Sequence, residues 1–170
     1  SHWKGCAFAN AARHGVFAAL LARDGVTGPS PIFEGEKGFE KLVSGPFEPR
    51  VGQWARGTSS NEFMILQTSI KFWPAEYHSQ SAIEAALELR PQIGSTAQIE
   101  SILVEGHGAA VDIIGSEPEK CRPTHRETAD HSLPYIVAAA LADGEITVRQ
   151  FSPERLADPA LLALVQRVKV

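Results

Sequence analysis

The hydrophobic pattern of the first sixty residues predicts one long helix followed by a glycine-rich segment. Residues 3–24 carry a dense apolar surface rich in alanine and end at Asp24-Gly25, which predicts a helix packed closely against neighbours. Residues 30–58 are interrupted repeatedly by Gly and Pro, so we expect a long loop with a short helix over 36–44. Long loops inside compact domains are often connections between domains, so we place a domain boundary at the end of this one.

The rest of the chain has helical and strand-like patterns in turn. Ile83, Ala86 and Leu87 recur at helical spacing and predict a helix over 79–90. Asp158-Pro159 predicts the cap and first turn of a last helix that ends at Val165. The remaining predictions are a strand or short turn over 63–73, strands over 99–105 and 146–148, a helix over 128–142 and a strand-like run over 167–170.

These elements favour one class of fold. Because helices and separated strands do not alternate regularly, we expect an α+β protein with a small, mainly antiparallel sheet packed by helices. The chain begins directly in a helical pattern, without Met, and stops in a strand-like run. We therefore expect it to be a piece of a longer polypeptide.

Composition excludes several classes of protein. The chain has 170 residues, 44% of them hydrophobic, with 16 Lys and Arg against 20 Asp and Glu. This balance provides no basic stripe for nucleic acid, and no apolar run approaches the roughly 20 residues of a membrane span. The two cysteines, Cys6 and Cys121, are too few for a disulfide framework or an iron–sulfur cluster. With so few cysteines, we expect a protein of the reducing cytoplasm. No metal-ligand spacing occurs, so we expect no bound metal.

The densest group of reactive side chains lies at a predicted strand-to-helix junction. Within ten residues the chain places Lys71, Glu76, Tyr77, His78 and Gln80. The free N–H groups of the following helix and a nearby lysine suit a ligand that carries carboxylates. The structural alternative is a lysine at a strand end followed by a Ser79 N-cap.

Three further positions could contribute chemistry. Asp130-His131 is either an acid–base pair or two polar groups of a first helical turn. His107 stands between two glycines, which lets the backbone approach a ligand closely, although turn histidines are common. Lys4 lies early in the first predicted helix, where a solvated lysine is the alternative.

Three segments of the chain resemble the MmgE/PrpD family, the 2-methylcitrate dehydratases. They occur in the family's order and at similar spacing over nearly all 170 residues. The segments are Trp3-Lys4 through Arg13 with Phe33-Glu34-Gly35, then Lys71-x-x-Pro74-Ala75-Glu76-Tyr77-His78-Ser79-Gln80, and Ala129 through Tyr135. The resemblance implies a helical domain and a smaller α+β lid with the active site between them. Residues 1–62 would end the helical domain and connect it to the lid, and 63–170 would form an incomplete lid, truncated at its C-terminus.

The resemblance also implies an activity. The family contains metal-independent hydro-lyases that dehydrate 2-methylcitrate or a related tricarboxylate such as citrate in propionate catabolism, without a cofactor and as homodimers. Lys4 and Lys71 match two active-site lysines of the family and would be catalytic. The residues that would bind substrate are His78, Glu76, Gln80 and His107. We expect the 170-residue chain alone to be inactive, because part of the site is absent from it.

Other activities remain open within the same resemblance. The alternatives are cis-aconitate decarboxylation, epimerisation of a dicarboxylate, or a non-catalytic module that binds carboxylates or takes part in assembly. Glu76 stands where the decarboxylase has a histidine, and no tyrosine occurs near Ala110-Val111, where the decarboxylase has one. Both departures favour the dehydratase.

Overall fold

The computed structural model describes residues 2–48 and 64–170 of the chain. It divides the chain into two compact units, Ser1–Ser69 and Ile70–Val170. The domain boundary predicted between residues 62 and 63 lies outside the described residues, as does the end of the predicted loop.

The first unit contains one long helix, α1 (His2–Arg23), which confirms the helix predicted over 3–24. Arg23 lies in its last turn, where a positive charge interacts favourably with the helix dipole. Gly25 follows with a φ of 91°, a conformation that glycine adopts without steric cost. Large apolar side chains of α1, such as Phe8 and Phe17, are exposed.

Three phenylalanines organise the loop that follows α1. The ring of Phe47 packs edge-on against Phe33 and Phe39, with ring centroids 5.8 and 5.9 Å away. Gly38 permits this fold of the backbone, because a Cβ atom there would lie 2.5 Å from the carbonyl oxygen of Phe33. The short helix predicted over 36–44 is a single wide turn, Glu40–Ser44.

The second unit, whose residues are all described, consists of short helices and two short strands. In chain order they are α2 (Gln80–Leu89), β1 (Ile102–Leu103), α3 (Gly108–Ala110), α4 (Arg126–Ala129), α5 (Leu133–Asp143), α6 (Pro153–Leu156), α7 (Pro159–Val165) and β2 (Val168–Lys169). Turns of 3₁₀-helix cover Tyr77–Ser79, Arg90–Gln92, Thr96–Gln98, Pro118–Cys121 and Val148–Phe151, and a wide turn covers Val111–Gly115. The helices predicted over 79–90 and 159–165 are confirmed.

Helix α5 forms the centre of the core of this unit. Its residues from Leu133 to Leu141 are all buried, as expected of a helix that is apolar on every face. Helix α2 packs on it through Ile83 and Ala86, and α7 contributes Leu161 and Leu164 to the same cluster. Full burial of one such leucine or isoleucine contributes about 1.5–3 kcal/mol.

The helix predicted over 128–142 is two helices, α4 and α5. The hydroxyl oxygen of Ser132 accepts the N–H of Tyr135 at 3.1 Å and caps a new helix start. Pro134 then lies in the first turn of α5, where its missing N–H costs no hydrogen bond. In one continuous helix the same proline would interrupt the backbone bonding, so the chain breaks at Asp130–Ser132.

The α+β class is confirmed, but the expectation of a mainly antiparallel sheet is wrong. Strands β1 and β2 pair in parallel, with Ile102 opposite Val168 and Leu103 opposite Lys169. Parallel strands need a long crossover connection, and helices α3 to α7 provide it. The sequence pattern identified both strands but contained no information about their relative direction.

One further strand prediction is wrong, and a second segment adopts the turn that was the alternative to a strand. Residues 146–148 form no strand, because Thr147 caps the 3₁₀ turn that follows and Gln150 accepts the N–H of Thr147 at 2.8 Å. These local bonds outweigh the strand preference of the β-branched residues. Of the strand or turn predicted over 63–73, the described part contains a single 3₁₀ turn, Met64–Gln67.

Candidate functional site

The loop that follows Lys71 is fastened to the start of α2 by the side chain of Gln80. The amide oxygen of Gln80 accepts the N–H of Trp73 at 3.1 Å. The amide nitrogen donates to the carbonyls of Trp73, at 3.2 Å, and Ala75, at 3.3 Å. Both ends of the amide are therefore engaged within the protein, and a direct bond from Gln80 to a substrate would replace one of these contacts.

Glu76 shapes the turn that leads into α2. One carboxylate oxygen of Glu76 accepts the backbone N–H of His78 at 2.6 Å. The backbone carbonyl of Glu76 accepts the hydroxyl of the buried Ser79, also at 2.6 Å. Its other carboxylate oxygen lies 4.0 Å from Nε2 of His78. Glu76 thus fixes the backbone of the turn and holds a negative charge beside the imidazole of His78.

The fold brings His107 against His78 from a distant part of the chain. The two imidazole rings meet edge-to-face, with centroids 4.9 Å apart and planes at 75°. Nδ1 of His107 accepts the N–H of Ala110 at 3.4 Å and caps α3. In the neutral ring the proton therefore lies on Nε2, which is left as a hydrogen-bond donor.

The segment from Ala129 to Tyr135 meets the Lys71–Gln80 segment directly. The backbone carbonyl of Asp130 accepts the N–H of Glu76 at 2.8 Å. The carboxylate of Asp130 and Nδ1 of His131 are 2.5 Å apart, and both side chains are partly exposed. Asp130 and His131 thus form a pair next to the candidate site. Their adjacency in the sequence suggested the pairing but not its location.

The two candidate lysines lie in different units. Lys71 is exposed just before Trp73, and Lys4 is exposed on α1. Among residues 2–48 and 64–170, no carboxylate lies within ion-pair distance of either ammonium group. Each positive charge is therefore available to an anionic ligand.

A cavity of about 350 Å³ opens beside the two histidines. Its walls are mainly apolar and come from α2, β1 and α5, and His78 and His107 stand at its border. Within the described part of the chain, no group of three or more His, Cys, Asp or Glu side chains is placed to hold a metal ion. None of the described helices is both long and apolar enough to span a bilayer.

Comparison with known families matches both parts of the chain. Residues 1–52 match the MmgE/PrpD N-terminal domain, and residues 73–170 match the MmgE/PrpD C-terminal domain. The two matched ranges together cover most of the sequence.

Individual relatives cover the chain almost completely. A 2-methylcitrate dehydratase from Cupriavidus necator is 33% identical over 97% of this chain and 34% of its own length. A 2-methylcitrate dehydratase from Escherichia coli K12 is 32% identical over the same shares. Human cis-aconitate decarboxylase is 25% identical over 95% of this chain and 33% of its own length. The chain thus spans about a third of the length of the curated relatives it matches.

Proposed function

The chain belongs to the MmgE/PrpD family, and from this premise we propose that it is part of a hydro-lyase that removes water from 2-methylcitrate or a related tricarboxylate such as citrate. The observation that carries the proposal is the 33% identity to a 2-methylcitrate dehydratase over 97% of the chain. Lys4 and Lys71, exposed and without an ion-pair partner among the described residues, and the contacting pair His78 and His107 supply the types of group that a polyanionic substrate requires.

Elimination of water from a β-hydroxy acid needs three kinds of group. A base removes the proton α to a carboxylate, cations hold the carboxylates and the charge that develops on one of them, and an acid protonates the leaving hydroxide. In the proposal Lys71 and Lys4 are the catalytic residues, and their ammonium groups bind carboxylates and stabilise that developing charge. The general base belongs to residues outside this chain or to one of the histidines described above.

The substrate-binding group comprises His78, Glu76, Gln80 and His107. The neutral ring of His107 offers its Nε2 proton to a substrate oxygen, and His78 stands in contact with it. Gln80 acts mainly by fixing the loop that follows Lys71, and Glu76 by fixing the turn before α2, since their side chains bond to the backbone of Trp73 and His78. Asp130 and His131 extend the same group, through the bond from Glu76 to Asp130.

The proposed organisation follows the family's two domains. Residues 1–62 are the end of the helical domain and its connecting loop, and residues 63–170 are most of the lid. The complete protein is proposed to be a cytoplasmic homodimer that needs no cofactor. Because the relatives are about three times as long, we expect this chain alone to lack dehydratase activity.

Substitution of Lys71 tests the assignment in a complete protein that carries this chain. We expect Lys71→Ala to lower kcat/KM for 2-methylcitrate by about a hundredfold, the usual effect of removing one preorganised charge partner. Lys37→Ala, which removes another exposed lysine, is the matched control and should retain activity. Unchanged turnover in a folded Lys71→Ala variant would remove Lys71 from the site.

The second candidate is cis-aconitate decarboxylation, favoured by the similarity to the human decarboxylase. Glu76 argues against it, because its carboxylate is used in the turn before α2 where the decarboxylase has a histidine. Product analysis with 2-methylcitrate, citrate, cis-aconitate and an epimerisable dicarboxylate distinguishes the reactions. Binding of citrate without turnover by the complete protein would instead identify a non-catalytic carboxylate-binding module.

A further inference from the structure

The histidines near Glu76 differ in which ring nitrogen is able to accept a proton. Nδ1 of His107 accepts the N–H of Ala110 at 3.4 Å, so the lone pair of the neutral ring is already used. Nε2 of His78 lies 4.0 Å from the Glu76 carboxylate, which is too far for a hydrogen bond. Within residues 2–48 and 64–170, no hydrogen bond fixes the ring of His78. Neither ring is therefore both oriented and open as a proton acceptor.

His131 differs from these two residues because a carboxylate fixes its ring. Nδ1 of His131 lies 2.5 Å from a carboxylate oxygen of Asp130. An ionised carboxylate is only an acceptor, so the ring proton lies on Nδ1 and the lone pair on Nε2. No described residue bonds to this Nε2, and 34% of the His131 side chain is exposed. Nε2 of His131 is therefore an oriented and accessible proton acceptor.

The dyad of Asp130 and His131 is not explained by the capping of a helix. Both residues precede α5, which begins at Leu133 and is capped by the hydroxyl of Ser132. The bond to Glu76 uses the backbone carbonyl of Asp130 and leaves its carboxylate free. In the described part of the chain, that carboxylate bonds to His131 alone. Its contact with the imidazole is thus the one interaction that accounts for the charge.

The backbone around the dyad is held firmly in place. The N–H of His131 donates to the carbonyl of Thr128 at 3.3 Å. The next residue, Ser132, is fully buried and donates its hydroxyl to the carbonyl of Lys120 at 2.5 Å. On its other side, the backbone of the dyad accepts the N–H of Glu76 at 2.8 Å. The dyad therefore has the fixed position beside the candidate site that a catalytic group requires.

We propose that His131 is the general base of the dehydration and that Asp130 positions its ring, an inference that rests on the proposed function. Nε2 of His131 removes the proton α to a carboxylate, the electron pair of that C–H bond forms the new C=C bond, and the C–O bond breaks. The hydroxide takes a proton from the acid of the reaction and leaves as water. His131, which Asp130 stabilises as imidazolium, then releases its proton to solvent.

Chemical rescue tests the base in a complete protein that carries this chain. His131→Ala should lower kcat for 2-methylcitrate by about a hundredfold or more with little change in KM, since general-base catalysis contributes about 10²- to 10⁴-fold. Free imidazole should then raise kcat of this variant about tenfold, because it supplies the missing acceptor. His125→Ala removes an exposed histidine of the same unit and should keep full activity with no response to imidazole.

Two substitutions of Asp130 test its positioning role. Asp130→Asn keeps the size of the side chain, but an amide that donates to Nδ1 moves the ring proton to Nε2 and removes the acceptor. It should lower kcat about tenfold or more and leave KM nearly unchanged. Asp130→Glu changes the size but keeps the carboxylate, so it should retain more activity than Asp130→Asn. A role in packing alone would give the opposite order.

The outcomes separate this role from the proposed function. Circular dichroism verifies folding, and His131→Gln, which retains a large side chain, is measured beside His131→Ala. Full turnover by either folded variant would overturn the base while leaving the dehydration intact. A loss that free imidazole does not reverse, or one that lies in KM rather than kcat, would also overturn it. A complete wild-type protein without dehydratase activity would overturn the proposed function and this role with it.

Discussion

At the scale of single residues, short polar side chains decide where the helices of the second unit begin. Glu76, Ser132, Thr147 and Asp158 each accept a backbone N–H two or three residues ahead. Each of these bonds satisfies a donor that has no partner within its own helix. Glu76 uses the same type of bond at the candidate site, so its carboxylate has a structural role whatever its role toward substrate.

Asp158 provides a test of such a cap through its pH dependence. Bonds from the backbone N–H groups of Leu161 and Ala160, with Arg155 nearby, hold the pKa of its carboxyl below its ordinary value of 3.8. A group whose pKa is lowered by folding stabilises the protein at pH values above its ordinary pKa. This stabilisation is lost as the pH falls through the folded-state pKa. Asp158→Ala should therefore lower the free energy of unfolding by about 1 kcal/mol near neutral pH.

Urea denaturation at several pH values verifies the effect. The difference between wild type and Asp158→Ala should shrink as pH falls below 3.8. Asp158→Asn keeps an oxygen that caps the helix but has no charge to titrate. It should therefore lower the free energy of unfolding by less than Asp158→Ala, and by an amount nearly independent of pH. A constant difference for Asp158→Ala over the whole range would contradict the role of the charge.

At the scale of elements, the second unit depends on a single buried helix with sharply defined ends. Helix α5 starts at the Ser132 cap and ends where Gly144, with a φ of 73°, donates its N–H to the carbonyl of Ala140 at 2.9 Å. This left-handed residue turns the chain out of the helix toward Thr147 and the following turn. The ends of α5 thus determine where α2, α7 and the sheet can pack against it.

Replacing Gly144 with alanine tests this helix end. A Cβ atom at Gly144 would meet only Arg90 Cγ at 3.9 Å, an ordinary contact. Any loss of stability therefore comes from forcing a residue with a Cβ atom into a positive φ, not from a steric clash. Gly144→Ala should lower the free energy of unfolding by about 1–2 kcal/mol, measured by urea denaturation. Gly108→Ala is the matched control, because that residue has open space and no positive φ. An effect at Gly108 equal to that at Gly144 would show that backbone handedness is not the cause.

At the scale of the whole molecule, the buried core belongs to the second unit. All members of the hydrophobic cluster lie between Ala75 and Val168. In the described part of the first unit the buried residue is Gly38, and α1 exposes large apolar side chains. The second unit therefore has a buried apolar cluster that can stabilise it in isolation, whereas the described part of the first unit has none.

Separate expression of the units tests this difference. Residues 70–170 should unfold cooperatively on heating, with a Tm within a few degrees of that of the 170-residue chain, because every member of the buried hydrophobic cluster lies within this unit. Residues 1–69 alone should show no cooperative transition, since isolated helices have marginal stability in water. Circular dichroism melting curves measure both. A gradual, non-cooperative loss of structure in residues 70–170 would contradict the prediction.

Much of the candidate site could be predicted from local sequence. The order Lys71, Glu76, His78 and Gln80 at a helix start was visible as a cluster of polar residues before an apolar helix. The family resemblance added Lys4, and the proximity of Asp130 and His131 followed from their adjacency. Contact between His78 and His107 could not be predicted, because it depends on how β1 and α2 pack over α5.

The sequence by itself determined the elements whose causes are local. The spacing of apolar residues located α1 and α2, and Asp158-Pro159 located α7, since periodicity and capping act within a few residues. Only the tertiary structure decided the parallel direction of β1 and β2, the contact between His78 and His107, and the bond from Glu76 to Asp130. These features arise from contacts between residues far apart in sequence, and such contacts leave no periodic pattern in either partner.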